Sequence, residues 1–150
     1  MSETILSSLL WATGATLIAQ IVAVAIMWRL GVPPKKLAHE IEDTQNVAVG
    51  ATFFIISVIA SIYIGLMAQE PSPADSNLEN VAWILGGVAL ATVYSSISFV
   101  IVHRIFNPIE GENTYTWIRR ELVLEQNAAL AFFLGGLVVA HFISVAYQVI

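Results

Sequence analysis

The sequence predicts an all-α membrane protein, a four-transmembrane-helix bundle built from two parallel tandem helical-hairpin repeats. Of its 150 residues, 57% are hydrophobic and only 11% are charged, which leaves too little polar surface for a soluble domain of this size. Four windows contain no Asp, Glu, Lys or Arg, at about 5–28, 47–68, 81–102 and 128–150. Each is long enough for a helix to cross the hydrocarbon core of a bilayer, where the backbone must satisfy its own hydrogen bonds.

The repeat is the second observation behind this fold. The first span aligns with the third at an offset of 72, and the second aligns with the fourth at an offset of 81, through Trp11 and Trp83, Gly14 and Gly86, and Gln45–Asn46 and Gln126–Asn127. Residues 1–70 and 81–150 are therefore predicted to be two-span units joined by a short outside loop at 71–80. Because each unit has two spans, both enter the membrane in the same direction, and their pseudo-twofold axis lies along the membrane normal.

The basic residues predict the orientation. All six lie in the first and third connections, and the middle connection and both termini have none. Connections rich in Lys and Arg face the cytoplasm, so we expect a multi-pass protein of the bacterial inner membrane with both termini outside. The net charge of −5 argues against a nucleic-acid partner.

The two cytoplasmic connections are predicted to begin helices that continue into the membrane. The Pro33–Pro34 pair should end the first helix, and no helix breaker follows before the second span, so one unbroken helix is expected from Lys35 onward. In the third connection, Asn113 or Thr114 should cap a helix that runs on into the fourth span. Trp117 on this helix is expected at the headgroup layer.

A polar collar precedes the second and fourth spans. Its residues are Glu42 and Asn46 in the first half, and Glu125 and Asn127 in the second. One interpretation is a solvated approach, with acids at the wet end of each helix and amides at the interface. In the other, Asn46 and Asn127 face each other across the pseudo-twofold. There they would hydrogen-bond one another or a loop carbonyl, or join the acids in a polar ring at a cytoplasmic mouth.

The stretches EDTQNVAVG (42–50) and LEQNAALAF (124–132), in a four-span chain of two tandem halves, resemble the YjfL-like bacterial inner-membrane family. The resemblance covers nearly the whole chain. It implies a four-span inner-membrane protein made of two-helix repeats, and it implies no particular activity.

Small residues, which let another backbone approach closely, recur four positions apart on all four spans. The predicted helix-packing residues are Ala15, Ala19 and Ala23; Gly87, Ala91 and Ser95; and Gly136, Ala140 and Ser144. The second span has Ser57, Ser61 and Gly65, at positions that the repeat does not superpose. The spans also carry a candidate polar seam of Gln20, Tyr94, Ser95 and Ser98.

His141 is the one ionisable side chain deep in a span, and such residues are candidates for function. It is the candidate cofactor-binding residue, for haem, a pigment or a quinone. A second imidazole at similar depth, which a bis-His haem site within one chain would need, is missing from the sequence. The alternative is a neutral His141 hydrogen-bonded to a hydroxyl such as that of Ser57, Ser61 or Tyr94.

The sequence carries no motif for catalysis: there is no Cys, no HExxH and no phosphate-binding glycine loop. We therefore expect neither an enzyme nor a protein with a bound metal or cofactor. The predicted function is a structural or interaction subunit in the lipid bilayer that forms a homo-oligomer or joins a larger membrane complex. The alternatives are a small channel or solute conduit, and an accessory subunit with a cofactor near His141.

Overall fold

The computed structural model of the chain describes residues 2–69, 77–106 and 109–149, and all regular elements there are helical. The long helices are α1 (Ser2–Arg29), α3 (Val47–Gln69), α4 (Asn77–Phe106) and α6 (Ala128–Val149). The shorter elements are α2 (Pro34–Glu42), α5 (Thr114–Arg119) and a π-helical turn at Arg120–Leu124. Each long helix contains a stretch that is long and apolar enough to cross a membrane. The four predicted spans are therefore confirmed as membrane-length apolar helices. Residues 71–76 of the predicted middle loop lie outside the described ranges, and 77–80 belong to α4.

The long helices pack in the order α1, α3, α6, α4. The central pair is thus the second helix of each predicted unit, and α1 and α4 lie at opposite ends of the order. Both α1 and α4 end, and both α3 and α6 begin, at the end of the molecule that carries α2 and α5. We call this the short-helix end. A third or less of each apolar stretch is buried within the chain.

The end of α1 is built by Gly31, whose φ of +86° is the left-handed conformation that glycine adopts without strain. The Gly31 amide donates to the Trp28 carbonyl, and the Val32 amide donates to the Met27 carbonyl, each at 2.9 Å. This is the Schellman pattern of a helix C-terminus. Pro33 and Pro34 then begin α2, where a missing N–H costs nothing.

The helices predicted to run unbroken into the second and fourth spans are each interrupted. The prediction is wrong at 43–46, between α2 and α3, and at 125–127, between the π-helical turn and α6. Gln45 and Gln126 adopt positive φ values of 51° and 54° at these breaks, and a left-handed residue cannot continue a right-handed helix. Neither break contains the glycine or proline that usually marks one.

The cap predicted for the third connection is confirmed at Asn113, whose side chain accepts the Thr116 amide at 2.9 Å. The expected place of Trp117 is corrected. Its side chain is 1% exposed and stacks on the His103 ring, with centroids 5.1 Å apart. Trp117 therefore belongs to the protein core and not to the headgroup layer.

Most of the core lies at the short-helix end. There, residues from the ends of the long helices surround the side chains of α5 and the π-helical turn, with Met27, Val32, Ala48, Val49, Val102, Trp117, Leu122 and Leu130 among them. A smaller cluster at the opposite end centres on Tyr63 and Ala146. Among the described residues, more apolar surface is therefore buried at the short-helix end than at the opposite end.

Tyr63 joins three helices in this smaller cluster. From α3 its ring meets Phe142 of α6 edge-on at 5.5 Å, and its hydroxyl donates to the Ile84 carbonyl of α4 at 3.4 Å. This approach to the α4 backbone requires the missing side chain at Gly87, because a Cβ there would overlap the Tyr63 hydroxyl.

We expect Gly87→Ala to lower the melting temperature in detergent, because its methyl group overpacks against Tyr63 at a cost of about 1–3 kcal/mol. In a Tyr63→Phe background the nearest remaining ring atom is 3.4 Å from that methyl, so the substitution should then cost little. Gly86→Ala is the matched control, since its methyl meets nothing within 4 Å. Circular dichroism melts would contradict this account if Gly87→Ala were equally costly in both backgrounds.

Candidate functional site

The break before α3 is organised by Asn46, which is 2% exposed. Its Oδ1 accepts the Val49 amide at 3.1 Å, as an N-cap residue does. Its Nδ2 donates backwards to Oε2 of Glu40, in α2, at 3.0 Å, and its backbone amide donates to the Glu40 carbonyl at 2.8 Å. One asparagine therefore caps the span ahead and holds the short helix behind.

The break before α6 has the same hydrogen bonds 81 residues later. Oδ1 of Asn127 accepts the Leu130 amide at 3.0 Å, and Nδ2 of Asn127 donates to Oε2 of Glu121 at 2.9 Å. The Asn127 amide donates to the Glu121 carbonyl at 2.8 Å. Both asparagines therefore sit in a Glu-x5-Asn cap, our name for the pairs Glu40–Asn46 and Glu121–Asn127.

The predicted collar contains the right asparagines beside different acids. Glu42 is exposed, and Glu125 is exposed and pairs with Arg120. The carboxylates that meet the asparagines belong instead to Glu40 and Glu121. A polar ring of Glu42, Glu125 and the two amides is therefore not the arrangement in the structure.

Asn46 also connects the two halves. Its Nδ2 lies 3.4 Å from the carbonyl oxygens of both Leu122 and Val123, which lie between Glu121 and Asn127 of the second cap. Its partners across the molecule are thus backbone carbonyls, and the Asn127 amide instead donates to Glu121 in its own half. Carbonyls near a helix C-terminus lack intrahelical donors. The Asn46 side chain supplies a hydrogen-bond donor to the carbonyls of this buried helix end.

Glu40 was missed by the sequence analysis, although its side chain is 8% exposed. Its carboxylate meets Asn46, the Thr44 hydroxyl at 3.4 Å and the Lys36 ammonium at 3.6 Å. These partners offset the cost of burying a charge. The signal was present, because extending the offset of 81 upstream from Asn46 aligns Glu40 with Glu121.

Arg120 is the ionic centre of the second half. It makes two bonds of 3.1 Å to Glu112, whose side chain is largely buried, and it also contacts Glu121 at 3.2 Å and Glu125. The hydrogen bonds to Glu112 raise the pKa of Arg120 above its usual range. The guanidinium therefore ties the third connection to the second Glu-x5-Asn cap.

The three small-residue rows differ in what they face. Ala19 and Ala23 are fully buried on α1, whose long-helix neighbour is α3; the side chain of Ala15 lies outside the described residues. Gly87, Ala91 and Ser95 are buried on α4. The α6 row of Gly136, Ala140 and Ser144 is exposed instead, and a Cβ at Gly136 would meet nothing within 4 Å. The described residues of the rows on α1 and α4 are thus buried within the chain, and the row on α6 faces outward.

The residues of the candidate polar seam are split between two interfaces. Gln20 Oε1 accepts the Ser57 hydroxyl of α3 at 3.4 Å and borders an open groove of about 460 Å³. Ser95 and Ser98 of α4 instead face His141 of α6, and the Tyr94 ring is 6.2 Å from the His141 ring. The structure does not bring Gln20 together with the other three.

Both ring nitrogens of His141 lie near hydroxyls. Nδ1 is 3.5 Å from Ser95 Oγ, and Nε2 is 3.4 Å from Ser98 Oγ. Ser57 and Ser61, the partners suggested from sequence, line the groove beside Gln20. Among the residues with described positions, no three His, Asp or Glu side chains form a group able to hold a metal ion. The arrangement around His141 is suited to hydrogen bonding between helices.

We expect Asn46→Asp to destabilise the fold by about 3 kcal/mol, because a cap acceptor remains while the donor becomes a carboxylate facing Glu40 and two carbonyls. Pairing it with Glu40→Gln restores a donor and should recover much of the loss. Gln45→Glu is the matched control, since it makes the same chemical change at an exposed neighbour. Thermal melts in detergent test these variants, and equal losses from Asn46→Asp and Gln45→Glu would refute a structural role for the Asn46 amide.

Comparison of the chain with protein-family models, curated proteins and solved structures finds no match. The resemblance to the YjfL-like family therefore stays an expectation from the sequence.

Proposed function

We propose that the chain is a non-catalytic integral protein of the bacterial inner membrane that acts as a structural or interaction subunit. It associates with itself or with a larger membrane complex. The observation that carries this proposal is the outward-facing row of Gly136, Ala140 and Ser144 on α6. In a membrane, small residues permit close helix–helix packing, and the equivalent rows on α1 and α4 are already occupied within the chain.

The α6 row lies on one of the two central helices. Larger exposed side chains flank it, among them Phe132, Phe133, Ile143 and Tyr147. A shallow track of small residues between bulky ones suits a second helix laid along it. The limited burial of all four apolar stretches within one chain is compatible with further packing between chains.

The matching caps support a duplicated architecture. Glu40, Asn46 and Val49 bond as Glu121, Asn127 and Leu130 do, and the break in each half holds a left-handed glutamine. In our proposal each half is a parallel hairpin repeat, with the pseudo-twofold axis between α3 and α6. An interface on α6 then has no equivalent on α3, where the same offset gives Ile55, Ile59 and Tyr63.

The distribution of charge supports the proposed orientation. Arg29, Lys35, Lys36, Arg104, Arg119 and Arg120 all belong to the short-helix end or to the helix turns next to it. This end would face the cytoplasm and the termini would lie outside.

Thr44→Cys should then react with a maleimide only after the membrane is permeabilised, whereas Ser72→Cys should react in intact spheroplasts. The chain has no native Cys, so each label reports one position, and the reverse pattern would contradict the orientation.

The polar groups in the spans favour assembly over a conduit. Gln20 and Ser57 lie between α1 and α3, while Ser95, Ser98 and His141 lie between α4 and α6. Polar groups in separate interfaces make hydrogen bonds between helices. Each such bond stabilises a membrane protein by about 0.6 kcal/mol. In our proposal His141 accordingly packs against serines and holds no cofactor.

Gly136→Ile and Ala140→Ile should weaken self-association about tenfold each, corresponding to ~1.4 kcal/mol, because either side chain fills the α6 track. Gly86→Ile is the control, since Gly86 is also exposed and open within 4 Å but lies on α4. Single-molecule photobleaching in lipid vesicles across a range of protein densities measures the dissociation constant. Unchanged association of both α6 variants would overturn the assembly interface.

A further inference from the structure

Two arginines lie at the turn that follows α1. Arg29 is the last residue of that helix, and its carbonyl accepts the Tyr115 hydroxyl from α5. Arg119, one turn further along α5, lies across Gly31, so that a Cβ there would be 2.6 Å from Arg119 Nε and 3.0 Å from Cζ. The glycine that ends α1 therefore also leaves room for a guanidinium from the other half of the chain.

Neither guanidinium has a carboxylate partner among the described residues. Arg29 and Arg119 are both exposed. The contrast is with Arg120, the next residue in the chain, which contacts three glutamates. The fold thus surrounds one arginine with acids and holds its neighbour against the α1 turn with no acid beside it.

The site lies where α1 leaves its apolar stretch, which ends at Arg29. On the same helix, Trp28 is 65% exposed and Ile26 is 40% exposed, and Tyr115 of α5 is exposed as well. Exposed aromatic side chains are typical of the layer where headgroups meet hydrocarbon. An occupant of this site would have its anionic group at the arginines and an apolar part along α1.

We propose that Arg29 and Arg119 bind the phosphodiester headgroup of an anionic phospholipid at the end of α1. Guanidinium groups match phosphate oxygens through paired hydrogen bonds, and the lipid chains would lie along the exposed apolar face of α1. The proposal needs the chain to sit in a bilayer, and it does not depend on assembly through α6. The competing explanation is that both cations only stabilise the negative C-terminal end of α1.

The experiment is a lipid titration of the full-length protein in detergent, followed by native mass spectrometry. The probes are phosphatidylglycerol, phosphatidylcholine with the same acyl chains, and water-soluble glycerol phosphate. Arg29→Gln and Arg119→Gln test the site. Arg104→Gln is the matched control, because Arg104 is exposed, lies in the last turn of another long helix and has no carboxylate partner among the described residues.

Phosphatidylglycerol should bind more tightly than phosphatidylcholine to the unaltered protein. Each site variant should weaken phosphatidylglycerol binding about fivefold, with phosphatidylcholine binding and the Arg104→Gln control unchanged. Since the Arg29 side chain makes no hydrogen bond or ion pair with the described residues, Arg29→Gln keeps the test valid even if Arg119→Gln fails to fold.

Three outcomes would overturn the proposal. Unchanged lipid selectivity in Arg29→Gln would mean that Arg29 only stabilises the negative C-terminal end of α1. An equal loss of phosphatidylglycerol binding in Arg104→Gln would mean that positive charge at the membrane surface attracts the lipid without a specific binding site. Competition by glycerol phosphate at the concentrations at which phosphatidylglycerol binds would assign the arginines to a soluble phosphate instead of a lipid.

Discussion

The hydrogen bonds of an asparagine amide govern how α3 and α6 begin. In both Glu-x5-Asn caps the amide oxygen accepts an amide of the span ahead, and the amide nitrogen donates to a glutamate of the segment behind. Only a side chain with both a donor and an acceptor can do this at a single position. The glutamate gains a donor where burial would otherwise penalise its charge. Each break thus keeps two helices in a fixed relation without a glycine or a proline.

This constraint explains why the main core lies at the short-helix end. The caps turn α2 and the α5 segment back over the ends of the spans, where Trp117, Leu122 and Val123 fill the space between them. The large apolar side chains there pack beside polar groups whose hydrogen-bond partners lie at the same end of the molecule, some nearby in sequence and some in the other half. At the opposite end the described core is small, and Tyr63 fits against α4 because Gly87 leaves room for it. The helices are therefore held by different means at their two ends.

The spans could be predicted from sequence because the exclusion of charge from lipid is a property of composition, visible without a structure. The cap at Asn113 was equally accessible, since it depends on a local hydrogen bond to Thr116. The breaks at Gln45 and Gln126 were not, because glutamine rarely takes a positive φ and neither break contains a glycine or a proline. Glu40 was overlooked because it lies six positions before Asn46, a spacing that brings the two side chains together only after the break has formed. The place of Trp117 depends on where α5 packs, which no local pattern encodes.

The two caps also differ in the backbone carbonyls that lie near each asparagine amide. The π-helical turn ends with the Leu122 and Val123 carbonyls buried beside α3, where water cannot serve them, and the Asn46 amide supplies the donor. The equivalent positions in the first half are Ile41 and Glu42, both exposed, so water can solvate that helix end. The Asn127 side chain accordingly bonds within its own half, while the Asn46 side chain bonds to residues of both halves.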